Sequence, residues 1–464
     1  MKSVIERWLD GFGGGSTAAR RIFGATMWAA AGDGASRIMI LLSFVCAARI
    51  LGSHEYGQFG LVRSTILMFT NLGGLGLGLT ANRYLAQYYR SDSRFCGQVI
   101  GSSYMLAIWA GLVITTALLL LSGGISSKLL TSPDMQRSFQ IGSLAMLFST
   151  VMGAQIGILQ GLHAYRQLAL GNFMLGALGV AFVVGGALVY RVDGAIVGLV
   201  VQQALACGFF AFLINRETRK QNIDSYVYSL TGLGGIFWNF SFPVALMSIC
   251  IAPFKWFGET IVAQRAGFDE LGIFHGAMAV SSVLIAVSST INAPLISIAS
   301  QSVADKTAPT ERAQYFNLYG SWFLFLIFSL PFLLLPGLAP VFFGATFATV
   351  SFQQTNLLLL TYSALLIYYQ GITRLMTLSG SMWMGFATNL IEGIALLVAI
   401  WFLAHEGASG LAKAFVISYL VRIAFALPLV VRGRLVTVKA VFDRNFLISA
   451  FLFIVLVVIQ YRAL

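Results

Sequence analysis

The amino-acid sequence predicts an all-α polytopic membrane protein made of two six-helix lobes, and three observations lead to that prediction. Of the 464 residues, 58% are hydrophobic and 10% are charged, whereas soluble domains have about 45–50% apolar and about 25% charged residues. The charged residues fall between apolar runs of about 20 residues, the length of helix that crosses a hydrocarbon core of about 30 Å. Landmark motifs also recur in both halves of the chain at nearly one offset, which is typical of an internal repeat.

Twelve apolar runs are long enough to span a membrane. They cover 25–48, 58–81, 98–121, 138–160, 168–190, 194–215, 236–256, 271–297, 317–340, 352–373, 384–403 and 410–430. A thirteenth run, 446–461, lies between Arg444 and Arg462. A helix of that length measures about 24 Å and spans only if the bilayer thins or the flanking side chains snorkel. We expect it to span, and the alternative, a run that does not cross, stays open.

The distribution of basic residues sets the orientation. With the N-terminus inside, the cytoplasmic segments hold 18 Lys and Arg residues and the outer ends and loops hold 8. Because cytoplasmic loops carry the excess of Lys and Arg, this asymmetry predicts a cytoplasmic N-terminus. Most of the net charge of +12 therefore faces anionic lipid, and it does not indicate a nucleic-acid partner.

The polar stretch between the sixth and seventh spans divides the chain into two lobes. We predict a cytoplasmic N-terminal segment over 1–24, a first lobe over 25–215, a cytoplasmic linker over 216–235 and a second lobe over 236–430. The remaining part, 431–464, is predicted as a basic cytoplasmic segment followed by the extra helix.

Three pairs of landmarks support a parallel repeat of six and six helices. The first pair is Gly52-x-x-Glu55-Tyr56-Gly57-x-Phe59 and Gly267-x-x-Glu270-Leu271-Gly272-x-Phe274, and the second is Gln160-Gly161 and Gln370-Gly371. The third is Asp193-Gly194-Ala195 and Glu406-Gly407-Ala408. The offsets are 215, 210 and 213 residues in that order. Each pair alone is weak, and chance recurrence of glycine-rich loops is the alternative.

Motifs for catalysis or for a cofactor are absent from the sequence. No GxxxxGK[ST] motif occurs, and the glycine-rich stretch 11–17 lacks the lysine and the preceding strand that a phosphate loop needs. The four His and four Cys residues are dispersed, so their spacing suggests neither a metal site nor a nucleophilic triad. The sequence predicts a protein that is not an enzyme, with no metal or cofactor.

Charged side chains inside the predicted spans mark a polar cavity or ion pairs, because a charge that faces lipid is costly. The deep cations are Arg37, Arg63, Lys255, Arg374, Lys413 and Arg422, and the deep acids are Asp33 and Glu392. This excess favours an anionic ligand, and guanidinium groups suit phosphate because their forked donors engage two oxygens. The sequence therefore predicts that these cations, together with Arg265 at the outer end of the eighth span, bind a phosphorylated amphiphile.

Simpler interpretations compete for most of these charges. Asp33 and Arg37 lie four residues apart on one span and can neutralise each other, and Glu392 can pair with Arg422. Cations near the outer ends of spans can snorkel to water; these are Arg63, Lys255, Arg265 and Lys413. Their nearest acids are all predicted in loops: Glu55, Glu259, Asp269 and Glu270. Asp33 and Glu392 are also the candidates for binding a coupling ion.

Three motifs in the first half carry a family resemblance. They are Ala48-Arg49-Ile50-Leu51-Gly52-x-x-Glu55-Tyr56-Gly57, Thr80-x-x-Arg83-Tyr84-x-Ala86, and Leu159-Gln160-Gly161 with Tyr165. Together they resemble the polysaccharide-transporter branch of the multidrug/oligosaccharidyl-lipid/polysaccharide (MOP) flippase superfamily. The resemblance implies a MATE-like fold in the bacterial inner membrane and a substrate of undecaprenyl-diphosphate-linked oligosaccharide, such as an O-antigen or exopolysaccharide unit. It also suggests a polysaccharide polymerase and chain-length machinery as partners.

The expected mechanism is alternating access, in which the two lobes rock about a central site and the prolines Pro243 and Pro294 permit bending. A cation-coupled drug exporter that uses Asp33 and Glu392 is the alternative function, and a scaffold for glycan polymerisation is a third. Each elementary charge that crosses the membrane is worth about 2.3 kcal/mol per 100 mV. Because each of the two acids has an arginine nearby that would keep it ionised, the sequence predicts that membrane potential matters more than pH.

Overall fold

The computed structural model describes residues 17–74, 76–88, 91–130, 132–223, 242–289, 311–378, 381–433 and 438–464, and the regular structure within these ranges is helical. The helices are α1 (Thr17–Gly73), α2 (Leu77–Tyr88), α3 (Ser93–Gly124), α4 (Met135–Gly161), α5 (Tyr165–Leu178), α6 (Gly185–Lys220), α7 (Phe242–Ala266), α8 (Phe268–Ser288), α9 (Glu311–Leu334), α10 (Leu338–Phe343), α11 (Val350–Leu378), α12 (Met382–Leu403), α13 (Gly407–Arg432), α14 (Val438–Val441) and α15 (Arg444–Ala463). The predicted all-α membrane fold is confirmed.

Eight helical stretches of the described chain are long and apolar enough to cross a membrane. Three of them each contain two predicted spans in succession: Ser36–Gly73, Tyr165–Lys220 and Trp383–Arg432. The predicted spans 236–256 and 352–373 fall largely on α7 and α11, which pack inside the same bundle. Most of the predicted N-terminal segment and of the linker lies outside the described residues, although α6 continues to Lys220.

The thirteenth helix is longer than the apolar run in the sequence indicates. α15 covers 20 residues, because Asp443 caps its first turn by accepting from the backbone N–H groups of Asn445 and Phe446. At about 1.5 Å per residue this helix reaches about 30 Å, enough to cross a hydrocarbon core without thinning. It packs against α9 and α11, where Phe446 stacks on Tyr368 with ring centroids 4.9 Å apart.

Glycines turn the chain at equivalent positions of the two halves. Gly52 bends α1 into two arms with φ 75° and ψ 177°, and Gly267 separates α7 from α8 with φ 90° and ψ 172°. Positive φ of this kind is readily adopted only by glycine. The first sequence landmark therefore forms the corner between the first two helices of each half, and we call the end of the bundle that carries both corners the motif end.

In each half, the glutamate of the first landmark bonds to a residue in or next to the third landmark. Glu55 forms a salt bridge of 2.9 Å with Arg191, beside the Asp193-Gly194-Ala195 turn. In the second half, Glu270 accepts a hydrogen bond of 2.8 Å from the backbone N–H of Ala408, within Glu406-Gly407-Ala408. The two halves thus repeat an arrangement in which a carboxylate holds the start of their sixth helix, with an arginine as partner in one half and a backbone amide in the other.

The two halves meet at the motif end through reciprocal glycine contacts. A Cβ on Gly57 would overlap the carbonyl oxygen of Phe268, and a Cβ on Gly272 would overlap the carbonyl oxygen of Ser53. The offset of 215 residues that relates Gly57 to Gly272 also relates Ser53 to Phe268. The second arm of α1 is therefore packed backbone to backbone against α8.

Of the two predicted bending points, one lies outside the described residues and the other lies at the start of a helix. Pro294 lies outside the described residues, and Pro243 is the second residue of α7 as described. Prolines do occur inside three helices: Pro253 in α7, Pro331 in α9 and Pro428 in α13. Because proline removes a helix hydrogen bond, these three positions are further points, besides Gly52, at which the described helices can bend.

Candidate functional site

The first group of interior charges lies where the two halves meet. It consists of Arg63 on the second arm of α1, Glu259 on α7 and His275 on α8. Glu259 Oε2 is 3.8 Å from His275 Nε2, and Arg63 interacts electrostatically with the carboxylate. The Arg63 guanidinium also lies over the Phe44 ring, 4.1 Å from its centroid. We name Arg63, Glu259 and His275 the interface cluster.

The structure corrects the prediction that Glu259 lies in a loop. It is on α7, four residues after Lys255 and therefore on the same helix face, and only 8% of its surface is exposed. The seventh apolar run was ended at residue 256, whereas α7 continues to Ala266. The apolar run therefore omits about three helical turns, which contain Glu259, an acid that interacts electrostatically with Arg63 and Lys255.

The second group of interior charges lies within the second half and is surrounded by tyrosines. Arg422 on α13 forms an ion pair with Glu392 on α12, which is 1% exposed. The Arg422 guanidinium lies 4.3 Å from the ring centroid of Tyr369 and 5.4 Å from that of Tyr419. The Glu392–Arg422 pairing that the sequence suggested is therefore present, and we name these four residues the tyrosine cluster.

Lys255 links the two clusters. Its Nζ donates a hydrogen bond of 3.1 Å to the Tyr362 hydroxyl. It interacts electrostatically with Glu259 on one side and with Glu392 and Arg422 on the other. Together with Arg63, which interacts with Glu259, these residues hold three positive and two negative charges, so the connected interior site keeps one positive charge in excess.

Three predicted ligand residues are instead engaged in local contacts. Arg374 donates from Nε to the Asn317 side-chain oxygen at 2.8 Å and joins α9 to α11. Lys413 pairs with Glu406 at the motif end. Arg265 donates to the carbonyl oxygen of Trp401 at 2.9 Å and lies over that indole ring. These contacts support helix packing, and none of the partners named here belongs to either cluster.

For the two charged residues of the first span, the structure describes the side chain of Arg37 but not that of Asp33. Arg37 is exposed on the first arm of α1, next to the position where Ser36 donates a hydrogen bond of 2.7 Å to the carbonyl of Asn172. Asp33 lies on the same arm, but its side chain is outside the described part of the structure. The predicted Asp33–Arg37 pair, and the predicted role of Asp33 as an ion site, therefore stay predictions.

Polar contacts close the two halves against each other at the motif end. Asp269 accepts a hydrogen bond of 2.5 Å from Ser53 and lies 3.1 Å from His54 Nδ1. On the other side of the interface, Arg49 donates to the carbonyl oxygens of Phe342 at 2.6 Å and Val341 at 2.7 Å. Asp269 therefore joins the start of the second arm of α1 to the start of α8.

Comparison with protein families matches 276 of the 464 residues. The sequence profile of the family described as "Polysaccharide biosynthesis protein" matches residues 24–299, which cover the first half and the start of the second. No curated protein sequence matches the chain.

Solved structures match nearly the whole length of the chain. A MOP superfamily transporter from Pyrococcus furiosus aligns with a TM-score of 0.68 and 14% identity over 89% of this chain and 95% of its own. An inward-facing multidrug resistance MATE transporter aligns with 0.66 and 14% over 86% and 94%. The lipid II flippase MurJ, in an inward closed conformation, aligns with 0.66 and 14% over 92% and 95%. At this identity the likeness establishes a shared fold.

Proposed function

Because the chain belongs to the polysaccharide biosynthesis protein family and has the fold of MOP superfamily transporters, we propose that it flips undecaprenyl-diphosphate-linked oligosaccharides. The substrate would be an O-antigen or exopolysaccharide repeat unit, moved from the cytoplasmic to the periplasmic leaflet of a bacterial inner membrane. The proposal assigns the motif end to the periplasm, in keeping with the basic residues that favour a cytoplasmic N-terminus.

The observation that carries the proposal is the positive charge of the connected interior site. Lys255 and Arg422 face one acid, Glu392, within the second half, and Arg63 approaches from the first. Phosphate oxygens suit these donors, since lysine supplies a point charge and arginine a two-pronged donor. Tyr362, Tyr369 and Tyr419 add hydroxyl and ring surfaces on which a sugar next to the diphosphate can lie.

The closed motif end supports alternating access. The contacts of Arg49, Ser53 and Gly57 with the second half close the motif end, which the proposal assigns to the periplasm. The proposed cycle begins in this state, in which the diphosphate enters from the cytoplasmic leaflet while the polyprenyl tail stays in lipid. Separation of the motif end then exposes the site to the periplasm. The interior site is less suited to bind cationic drugs, because Glu392 already forms an ion pair with Arg422.

The proposal is tested with purified protein in vesicles that contain fluorescent undecaprenyl-diphosphate disaccharide. Wild-type protein should move this lipid between leaflets, and Lys255→Ala should slow the movement strongly. Arg422→Lys should retain more activity than Arg422→Ala, because lysine keeps the charge and loses only the fork. Arg265→Ala serves as the matched control, since this cation donates to the Trp401 carbonyl, which belongs to neither cluster. Equal flipping by Lys255→Ala and wild type would refute the proposal.

A deletion strain gives the cellular test. Accumulation of diphosphate-linked oligosaccharide on the inner leaflet is expected if the chain is a flippase. Sensitivity to cationic drugs without such accumulation would instead support the exporter.

A further inference from the structure

Helices α5 and α6 form an antiparallel pair in the first half, and two contacts show how they are aligned. Gln167, near the start of α5, donates a hydrogen bond of 2.6 Å to Glu217, near the end of α6. About one turn further along α5, a Cβ on Gly171 would overlap the ring of Phe210. The start of α5 therefore lies beside the end of α6, at the end of the bundle opposite to the motif end.

Two arginines share one level and one side of this helix pair. Arg166 and Arg216 each precede one of the two residues that form the Gln167–Glu217 bond. Because the helices run antiparallel and each turns by about 100° per residue, the side chains that precede the bonded ones project to the same side. Both arginines are exposed. The axes of packed helices are about 8–10 Å apart, so both guanidinium groups can reach one phosphate group between them.

The acid beside these arginines is engaged by other residues. The Glu217 side chain is 13% exposed, accepts the hydrogen bond from Gln167 and pairs with Lys220 at 3.4 Å. Among the described residues, no acid forms an ion pair with Arg166 or Arg216. The two guanidinium groups therefore present positive charge to the membrane surface.

An exposed apolar surface continues from the two arginines into the membrane. Leu170 and Phe173 follow on α5 at one and two turns, and they are 46% and 40% exposed. On α6, Phe212 and Leu205 lie on the face of the arginine, and they are 58% and 47% exposed. From the level of the arginines to Leu205 this surface is about 16 Å long, which is about half of a hydrocarbon core of about 30 Å. It therefore has the depth of one leaflet.

We propose that this surface of α5 and α6 binds one anionic phospholipid of the leaflet opposite to the motif end. Its phosphate lies between Arg166 and Arg216, and one acyl chain lies along Leu170 and Phe212. Forked guanidinium donors suit phosphate oxygens. A zwitterionic phospholipid is less suitable, because its own ammonium group would lie beside the two cations.

The position of the surface favours a resident phospholipid over the lipid that is flipped. Neither α5 nor α6 contributes a residue to the interface cluster or to the tyrosine cluster. A lipid bound here lies on the outside of the first half, and its binding does not depend on the proposed flipping.

The test uses full-length protein in detergent and phosphatidylglycerol that carries a photoreactive group in one acyl chain. Cross-linked peptides are identified by mass spectrometry, and an apparent Kd is obtained from the dependence of the yield on lipid concentration. Cross-links should fall on α5 and α6. Unlabelled phosphatidylglycerol should displace the probe at lower concentration than phosphatidylcholine does. Equal displacement by the two lipids would overturn the phosphate site.

Double variants separate this site from general surface charge. Arg166→Gln with Arg216→Gln should raise the apparent Kd by about 30-fold, since each cation beside an anionic lipid contributes a factor of about five. Arg166→Lys with Arg216→Lys keeps the charge and loses the fork, so its Kd should fall between those of wild type and the glutamine variant.

The matched control is Arg83→Gln with Arg94→Gln, which removes two exposed arginines from the same end of the first half. It should leave the cross-linking of α5 and α6 unchanged. Equal loss in both glutamine double variants would overturn the site in favour of unspecific attraction to a basic surface. The fluorescent undecaprenyl-diphosphate disaccharide should compete weakly, and displacement of the probe at lower concentration than phosphatidylglycerol needs would overturn the assigned occupant.

Discussion

Alanine at Gly57 should shift the molecule away from the conformation in which the motif end is closed. The added methyl group would overlap the carbonyl oxygen of Phe268 and approach the backbone N–H of Gly272. Backbone atoms of a packed helix cannot rotate away as a side chain can, so α1 and α8 must separate. Overpacking of this kind costs about 1–3 kcal/mol. Because the clash exists only while the halves touch, the cost falls on the closed state, and the open-to-closed ratio should rise about 5- to 150-fold.

The assay is the distance between spin labels at Gln136→Cys and Thr346→Cys, two exposed positions in the first and second halves, in a background without the four native cysteines. Flipping of the fluorescent diphosphate lipid is measured as well. Gly57→Ala should raise the long-distance population and slow flipping, because the closed state is needed for reloading. Gly208→Ala is the control, since a Cβ at that helical position meets no atom within 4 Å and should stabilise the helix by about 0.5–1 kcal/mol. Unchanged distances and flipping in Gly57→Ala would refute the reciprocal-contact argument.

Three other predictions concern the buried ion pair, the motif end and the orientation of the chain. Glu392→Gln should lower the free energy of unfolding in detergent by about 3–5 kcal/mol, because it leaves the buried Arg422 without its partner. Glu392→Leu combined with Arg422→Leu should recover much of that loss while abolishing flipping. Equal loss in both variants would contradict this. Asp269 accepts a hydrogen bond from Ser53 across the interface of the halves, so Asp269→Asn should raise the long-distance population of the spin labels, and an unchanged distance distribution would contradict this role. Single cysteines placed in the first 24 residues and in 216–235 should be labelled only after permeabilisation, and labelling in intact cells would overturn the predicted orientation.

The sequence was sufficient for the fold because the spacing of apolar runs and glycine landmarks reflects strong, local constraints. The bilayer fixes the length of each run, and the corners at Gly52 and Gly267 require a backbone that only glycine adopts readily. The same landmarks turned out to be the contact between the halves. That second role is a property of tertiary packing, and the repeat alone does not indicate it.

The site was less accessible to prediction because charge compensation depends on neighbours that are distant in sequence. Glu392 and Arg422 are 30 residues apart and could be paired from the depth of their spans. Glu259 was assigned to a loop because α7 extends beyond its apolar run, and its relation to His275 depends on how α7 and α8 pack. The expected excess of six cations over two acids shrinks to three against two in the connected site. Arg374 and Lys413 have local partners, Arg37 and Asp33 lie on the first arm of α1 outside this site, and Glu259 is an additional deep acid.

The expectation that potential outweighs pH considered only Asp33 and Glu392 as sites for a coupling ion. It stays a prediction for those two residues. The effects of potential and of pH are separated by imposing a potassium-diffusion potential with and without a pH gradient.

The reciprocal contact at the motif end is also one through which two copies of a six-helix chain can assemble. A patch that meets its own repeat, with each glycine against the other copy's carbonyl, is self-complementary in the way that the interface of a two-fold dimer is. Two identical six-helix chains would satisfy it without a covalent link. Fusion into one chain leaves this seam intact and frees the two copies to differ elsewhere, as Glu55 and Glu270 already do in the partners they hold.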